Sequence, residues 1–336
     1  MKKIKISLTF LFIFGGSAIL SSHEVLEPAE EVNEVVSLTV KEKNFDVSSQ
    51  VAESFKEEES GSEDVVADYT YGEWLPEKAS LYRPMIADPR KLGYSAGYRF
   101  YDDAISSNSV GVSLGEVLPL YRWEDLTILE QKGDLQLGLM AATWVVFDFS
   151  SFDDFGQIIN ADYETGVHVS FLADNKWSYR FRLYHLSSHL GDEFIKAHPQ
   201  VERLNPSFEA TDIFASYDLT KEIRFYGGAG YILRSDSSFS LHPLYGDAGV
   251  ELRLFGKEDK KHGLYRQPFF AMHFRHWEDK GWESDSTYLL GVEWAKIKGY
   301  ERRTRLYLEY HDGFSLEGQF SKDPTTYLSI NIGIGY

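Results

Sequence analysis

The chain has 336 residues, a formal net charge of −18 and no cysteine, which excludes disulfides, thiolate metal sites and a cysteine-linked lipid anchor. The acidic balance argues against holding nucleic acid or anionic lipid through bulk charge, and the basic-aromatic patch of a nucleic-acid binder is missing as well.

In chain order, Lys2, Lys3 and Lys5 precede an apolar run from Ile6 to Phe14 and small residues through Ser22. That order predicts a secretory signal over residues 1–22. The run is too short for a membrane-spanning helix, and no later stretch reaches the roughly 20 apolar residues such a helix needs. Residues 23–68 are rich in Glu, Val, Ser and Asp with few aromatics, and predict an acidic, disordered periplasmic linker that buries too little surface to offset the entropy of ordering. Residues 69–91 hold the proline-punctuated stretch from Trp74 to Arg90, whose path is extended and turn-rich. It either plugs the periplasmic mouth of the domain that follows or packs beside the first strand, and an ordered leader beside that strand is the expectation.

From residue 92 to 336 the period is two, with helical periodicity nearly absent. At the chain end Leu328, Ile330, Ile332, Ile334 and Tyr336 share one face, and Ser329, Asn331, Gly333 and Gly335 the other. Leu306, Leu308 and Tyr310 likewise oppose Arg305, Tyr307 and Glu309. About twelve segments follow, near 92–101, 109–123, 134–149, 161–173, 176–188, 207–219, 221–235, 245–256, 267–277, 286–297, 301–312 and 325–336. Long connections at 150–160, 189–206 and 313–324 alternate with tight ones at 173–175 and 219–221, while those near 124–133 and 257–266 are not tight. An even strand count, strands longer than usual in soluble proteins and this loop asymmetry predict an all-β fold, an antiparallel transmembrane outer-membrane β-barrel. Alternation alone suits a soluble periplasmic β-sandwich equally, and that alternative stays open. In the barrel, Tyr94, Trp123, Trp177, Trp277 and Tyr300 would lie at the membrane interfaces.

With the apolar face toward lipid, Arg180, Arg182, Arg224, Arg253, Arg275 and Arg305 turn inward with Glu251, Glu293 and Glu309. Paired, these charges make a structural interior; with a gap left between them, a small anion-preferring channel, and the leading expectation for function is an integral outer-membrane barrel with a structural or transport-related role.

The chemistry centres on the fifth predicted strand. Trp177, Tyr179, Phe181 and Leu183 form its lipid-side stripe, and His185 and Ser187 continue it. Polar groups on such a face need a reason, because unsatisfied ones are costly in hydrocarbon. A His two residues from a Ser along a strand shares its face, about 7 Å away between Cα atoms. The imidazole is then placed to serve as base toward a Ser187 nucleophile if a third group orients it. Glu209, near the start of the sixth strand, is the candidate orienter. The bland reading makes His185 and Ser187 polar rim anchors that bond to loop 189–206 or to lipid headgroups. Asp192, Glu193 and His198 offer oxygens and a nitrogen for calcium or zinc, but without a recognised ligand spacing; no cofactor is evident beyond an optional calcium. The expected partners are outer-membrane lipids and the barrel-assembly machinery, with no nucleic acid and with the oligomeric state left open.

His185-Leu186-Ser187 resembles the His-x-Ser motif of outer-membrane phospholipase A and of lipid A deacylases. That resemblance implies a site on the outside of a barrel with an Asn or carboxylate on a neighbouring strand. Those enzymes usually carry Asn after the Ser, where this chain has Ser188. The wider stretch YHLSSHLGDEF, with LYRPMIADPR at 81–90, resembles domain of unknown function family 1207, which implies export but no assigned activity. No phosphate loop, nucleophile elbow or helical metal motif is present, and Gly227, Gly228 and Gly230 suit strand bending better than nucleotide binding.

Overall fold

The computed structural model describes residues 72–76, 80–150, 156–173, 176–297 and 302–335. The expected signal (1–22) and linker (23–68), and the aromatics Tyr300 and Tyr336, lie outside them. The strands are β1 Gly72–Trp74, β2 Tyr94–Asp102, β3 Ser106–Ile128, β4 Gln131–Asp148, β5 Ile158–Ala173, β6 Trp177–Leu190 and β7 Phe208–Asp218. They continue with β8 Ile223–Ser235, β9 Leu244–Arg253, β10 Lys257–Asp259, β11 Leu264–Trp277, β12 Ser284–Lys296, β13 Arg303–Phe314 and β14 Pro324–Gly335. Each long strand pairs antiparallel with its neighbours, and β14 closes on β2 (Ile330 opposite Tyr98). Setting aside the short β1 and β10, which only pair with β3 and β11 respectively, twelve strands form a closed barrel. Every predicted segment corresponds to one of them.

The side-chain alternation is inside out relative to a soluble protein. Leu306, Leu308, Ile330 and Ile332 are about half exposed (52%, 45%, 49% and 54%), whereas Arg305, Glu309 and Asn331 between them are buried. A sandwich would bury the leucines, so the sandwich alternative falls and the barrel stands.

Ionic ladders line the lumen. Arg224 reaches Glu251 at 3.2 Å, Glu251 reaches Arg253 at 2.9 Å, and Glu293 joins Arg253 at 2.9 Å and Arg305 at 3.0 Å. A second cluster holds Asp212 between Arg180 and Arg182, with Arg182 also 3.1 Å from Glu164. The charges expected inside are inside: Arg275 pairs with Asp285 at 2.9 Å, while Glu309 accepts from the Tyr327 hydroxyl at 2.7 Å rather than from a cation.

Several expectations change. The connection near 124–133 is a two-residue turn, because β3 and β4 run on to Ile128 and Gln131 and the turn residues Leu129 and Glu130 both take positive φ (48° and 67°), the geometry that matches strand twist in a tight hairpin. Trp277 faces the lumen rather than an interface, stacked on Tyr245 at 4.8 Å between ring centroids. A short helix, α1 (Asp192–Ala197), occupies the start of the loop after β6.

The leader differs most. β1 pairs beside β3, with Glu73 opposite Arg122, but the chain then enters the lumen, where Tyr82, Met85, Ile86 and Ala87 are buried. Arg224 donates to the carbonyls of Arg83 (2.8 Å) and Pro84 (3.0 Å), the Ile86 N–H donates to Glu251 (2.9 Å), and Arg90 pairs with Asp162. Proline-rich backbone has few ladder partners, so buried guanidinium and carboxylate groups satisfy it instead. From the opposite, long-loop end, Ser315, Leu316 and Glu317 are also buried, with Glu317 2.9 Å from Arg99.

Candidate functional site on the outer wall

On β6 the even residues Ser178, Arg180, Tyr184 and Ser188 are buried, while Phe181, Leu183 and His189 are exposed. His185 and Ser187 follow the odd, outward set. In the β6–β7 ladder His185 lies directly opposite Glu209, and its Nδ1 is 3.1 Å from the Glu209 Oε1. The imidazole therefore has its Nδ1 engaged by a carboxylate and its Nε2 left for other work. Ser187 sits opposite Tyr163 of β5 and, among the described residues, forms no side-chain hydrogen bond. Of the predicted three, the structure brings two into contact and puts the third two residues away along the same strand.

A fourth member was not legible from alternation. Arg234 of β8 donates to Glu209 through Nε (2.9 Å) and Nη2 (3.0 Å). The buried residues of β8 are Arg224, Tyr226, Gly230 and Ile232, so period two puts residue 234 inside. The register instead slips between Glu209 and Ala210, which pair with Arg234 and Ile232. The extra residue, Leu233, is a bulge that turns Arg234 outward. Glu209 is the second residue of β7 and Arg234 the penultimate one of β8, so the cluster lies at the rim of the long-loop end.

The neighbouring motif residues serve the fold. Ser188 turns inward and donates to the Asn160 Oδ1 (3.1 Å), and Asn160 donates to Asp162 (2.7 Å). A side chain at Gly191 would strike the Ile158 carbonyl oxygen, 1.8 Å from its Cβ position. Asp192 and Glu193 open α1, while the His198 Nδ1 lies 3.1 Å from the Phe194 carbonyl; among the described residues no group of three or more His, Asp or Glu converges as for a metal ion.

Inside the long-loop mouth is a cavity of about 100 Å³ lined in part by Trp277, Lys280 and Leu316. Lys280, in the β11–β12 connection, has its Nζ 4.5 Å from the Phe314 ring centroid. Burial, then the Arg275 guanidinium, push its ammonium from 10.5 down to about 7. The unfolded chain keeps that proton until much higher pH, so this group's contribution to stability rises from about pH 7 to about pH 10. Acetylation followed by mass spectrometry is expected to modify Lys280 with a midpoint near pH 7, well below the exposed lysines; one shared pH profile would refute this.

A closed antiparallel β-barrel with an apolar outer face, a charge-lined interior and an ionisable cluster on its outer rim belongs to the class of outer-membrane β-barrel folds. The chain is a member of the family described as protein of unknown function (DUF1207), which it matches over residues 22–336. No curated protein sequence matches it. Among solved structures it is similar to the Salmonella typhi outer membrane phospholipase (OMPLA) dimer with bound calcium, at 12% identity and a TM-score of 0.48, covering 74% of this chain and 93% of that one. It is also similar to LpxR from Salmonella typhimurium, at 13% identity and 0.39, covering 73% and 100%. The beta domain of the Bordetella autotransporter BrkA gives 14% and 0.39, covering 73% and 98%. At these values the likenesses carry no argument about chemistry.

Proposed function

We propose that this protein resides in the outer membrane and hydrolyses lipid acyl esters from its outer wall, with Ser187 as nucleophile, His185 as base and Glu209 as orienter. The observation that carries this reading is the 3.1 Å contact of the His185 Nδ1 with Glu209, beside Ser187 on a lipid-facing stripe. With Nδ1–H held by the carboxylate, the His185 Nε2 lone pair takes the Ser187 proton as Oγ attacks the acyl carbonyl, and returns it to the leaving alcohol. Water then releases the fatty acid by the same path. The packed leader and the paired lumen charges weigh against a diffusion channel, the other use of such a barrel.

A rim anchor is the second reading, favoured by the two Arg234–Glu209 hydrogen bonds. To separate the two, the detergent-refolded chain is incubated with phospholipid and lipopolysaccharide, with and without calcium, and the products are read by mass spectrometry. Fatty acid released by the native protein is the expected result; intact lipids throughout, with folding verified, would leave the anchor.

A further inference from the structure

The barrel wall has a seam between β2 and β3. β2 begins at Tyr94, opposite Leu114, but β3 runs on to Ile128. Its next partner on that side is β1, through the Leu75 N–H to the Leu120 carbonyl (2.9 Å) and the pairs from Trp74–Tyr121 onward. Among the described residues, no strand pairs with the edge of β3 at 115–119. Pro119 stands in this stretch, and the β3–β4 register is irregular between Pro119 and Tyr121. A proline removes a ladder donor and suits an edge or a bulge, so the local sequence favours an edge here.

Behind the seam lies a cavity of about 760 Å³ whose lining joins bilayer-facing Leu114, Leu118 and Ile334 to lumen-facing His168 and Arg180. Among the described residues, five buried polar atoms of its lining have no hydrogen-bond partner: Ser80 Oγ, Tyr82 OH, Arg90 Nη1, His168 Nδ1 and Arg180 Nε. Four of these can only, or can readily, donate, and the fifth donates in one tautomer. Native interiors rarely leave such groups unpaired. The carboxylates of the same lining are already engaged: Glu116 accepts from Tyr94 (2.7 Å) and Arg302 (2.6 Å), and Asp88 from the Arg90 N–H (2.8 Å). Donors gathered behind an apolar sill call for a ligand with an anionic, acceptor-only head and a hydrocarbon tail.

We propose that the seam is a lateral portal and that the cavity holds the phosphate and first acyl carbons of one glycerophospholipid drawn from the surrounding bilayer. Neither His185 nor Ser187 lines this cavity, and the proposal does not depend on hydrolysis. The phosphate oxygens take the free hydrogens of Tyr82, Ser80, Arg90 and Arg180, while the acyl chains leave past Leu118.

Native mass spectrometry of the full-length chain in a maltoside detergent tests this, with dioleoyl phosphatidylglycerol, soluble glycerol phosphate and dioleoylglycerol titrated separately. One retained phosphatidylglycerol per barrel is expected, with the other two ligands at least about tenfold weaker. Tyr82→Phe, which removes one unpartnered hydroxyl and keeps the ring, is expected to weaken retention about tenfold, the worth of a hydrogen bond to a charged group, while the lipid-free protein melts unchanged. Ser80→Glu puts a charge of the phosphate's own sign in the cavity and is expected to abolish retention. Equal binding of glycerol phosphate would reduce the site to an anion pocket, and equal binding of dioleoylglycerol would remove the role of the donors. Either result overturns the portal, as does failure to retain phosphatidylglycerol in folded native protein.

Discussion

Glu251→Ala is expected to lower the stability of the barrel by about 3–5 kcal/mol, the usual cost of stripping one partner from a buried ion pair. Glu251 is fully buried and stands between Arg224 at 3.2 Å and Arg253 at 2.9 Å while accepting the Ile86 N–H at 2.9 Å. Its loss leaves two guanidinium groups facing each other in a site with little water, and removes the anchor of the leader backbone. Arg224 then loses the partner that holds it against the Arg83 and Pro84 carbonyls. Two readouts should therefore move together: the urea midpoint of the refolded barrel, and trypsin cleavage after Arg90 and Lys91. A variant as stable as the native protein, with the leader still protected, would show that these contacts do not hold the leader in the lumen.

What the sequence made legible, and what it hid, follows from where period two holds. The alternation of Leu306 with Arg305, and of Ile330 with Asn331, gave both the strands and their facing, because a lipid-exposed barrel inverts the ordinary pattern. It also placed Glu209 opposite His185, since both belong to outward sets on strands joined by a single loop. Where an extra residue enters, the rule breaks. The bulge at Leu233 turned Arg234 from the lumen to the rim, and no composition signal announces such a bulge. The leader's course inside the barrel is hidden for a different reason. Its prolines specify an extended path but not which surface will satisfy it, and the partners that do, Arg224 and Glu251, lie about 140 and 165 residues away in the chain and look like ordinary lumen charges until the barrel closes.

The outer-wall cluster should show a graded loss of acyl hydrolysis that an anchor would not. Ser187→Ala and His185→Ala each remove a group that changes bonding in the reaction, and each is expected to reduce turnover by about 10⁴-fold or more, to the residual rate that binding alone supplies. Glu209→Gln keeps the size of the side chain and a carbonyl that can still meet Nδ1–H, but removes the charge that steadies the imidazolium; a fall of about 10³–10⁴-fold in kcat is expected. Arg234→Gln takes two donors from Glu209 without touching Nδ1 or Ser187, so turnover should stay within about tenfold, with the remaining change arising from looser positioning of the carboxylate. The double variant Ser187→Ala/His185→Ala is the sharpest member of the set. Residues acting as one unit lose activity once, so the pair should be no worse than either single change. An anchor predicts the opposite ordering: no turnover to lose, and lipid retention that depends most on Arg234, the exposed cation of the group.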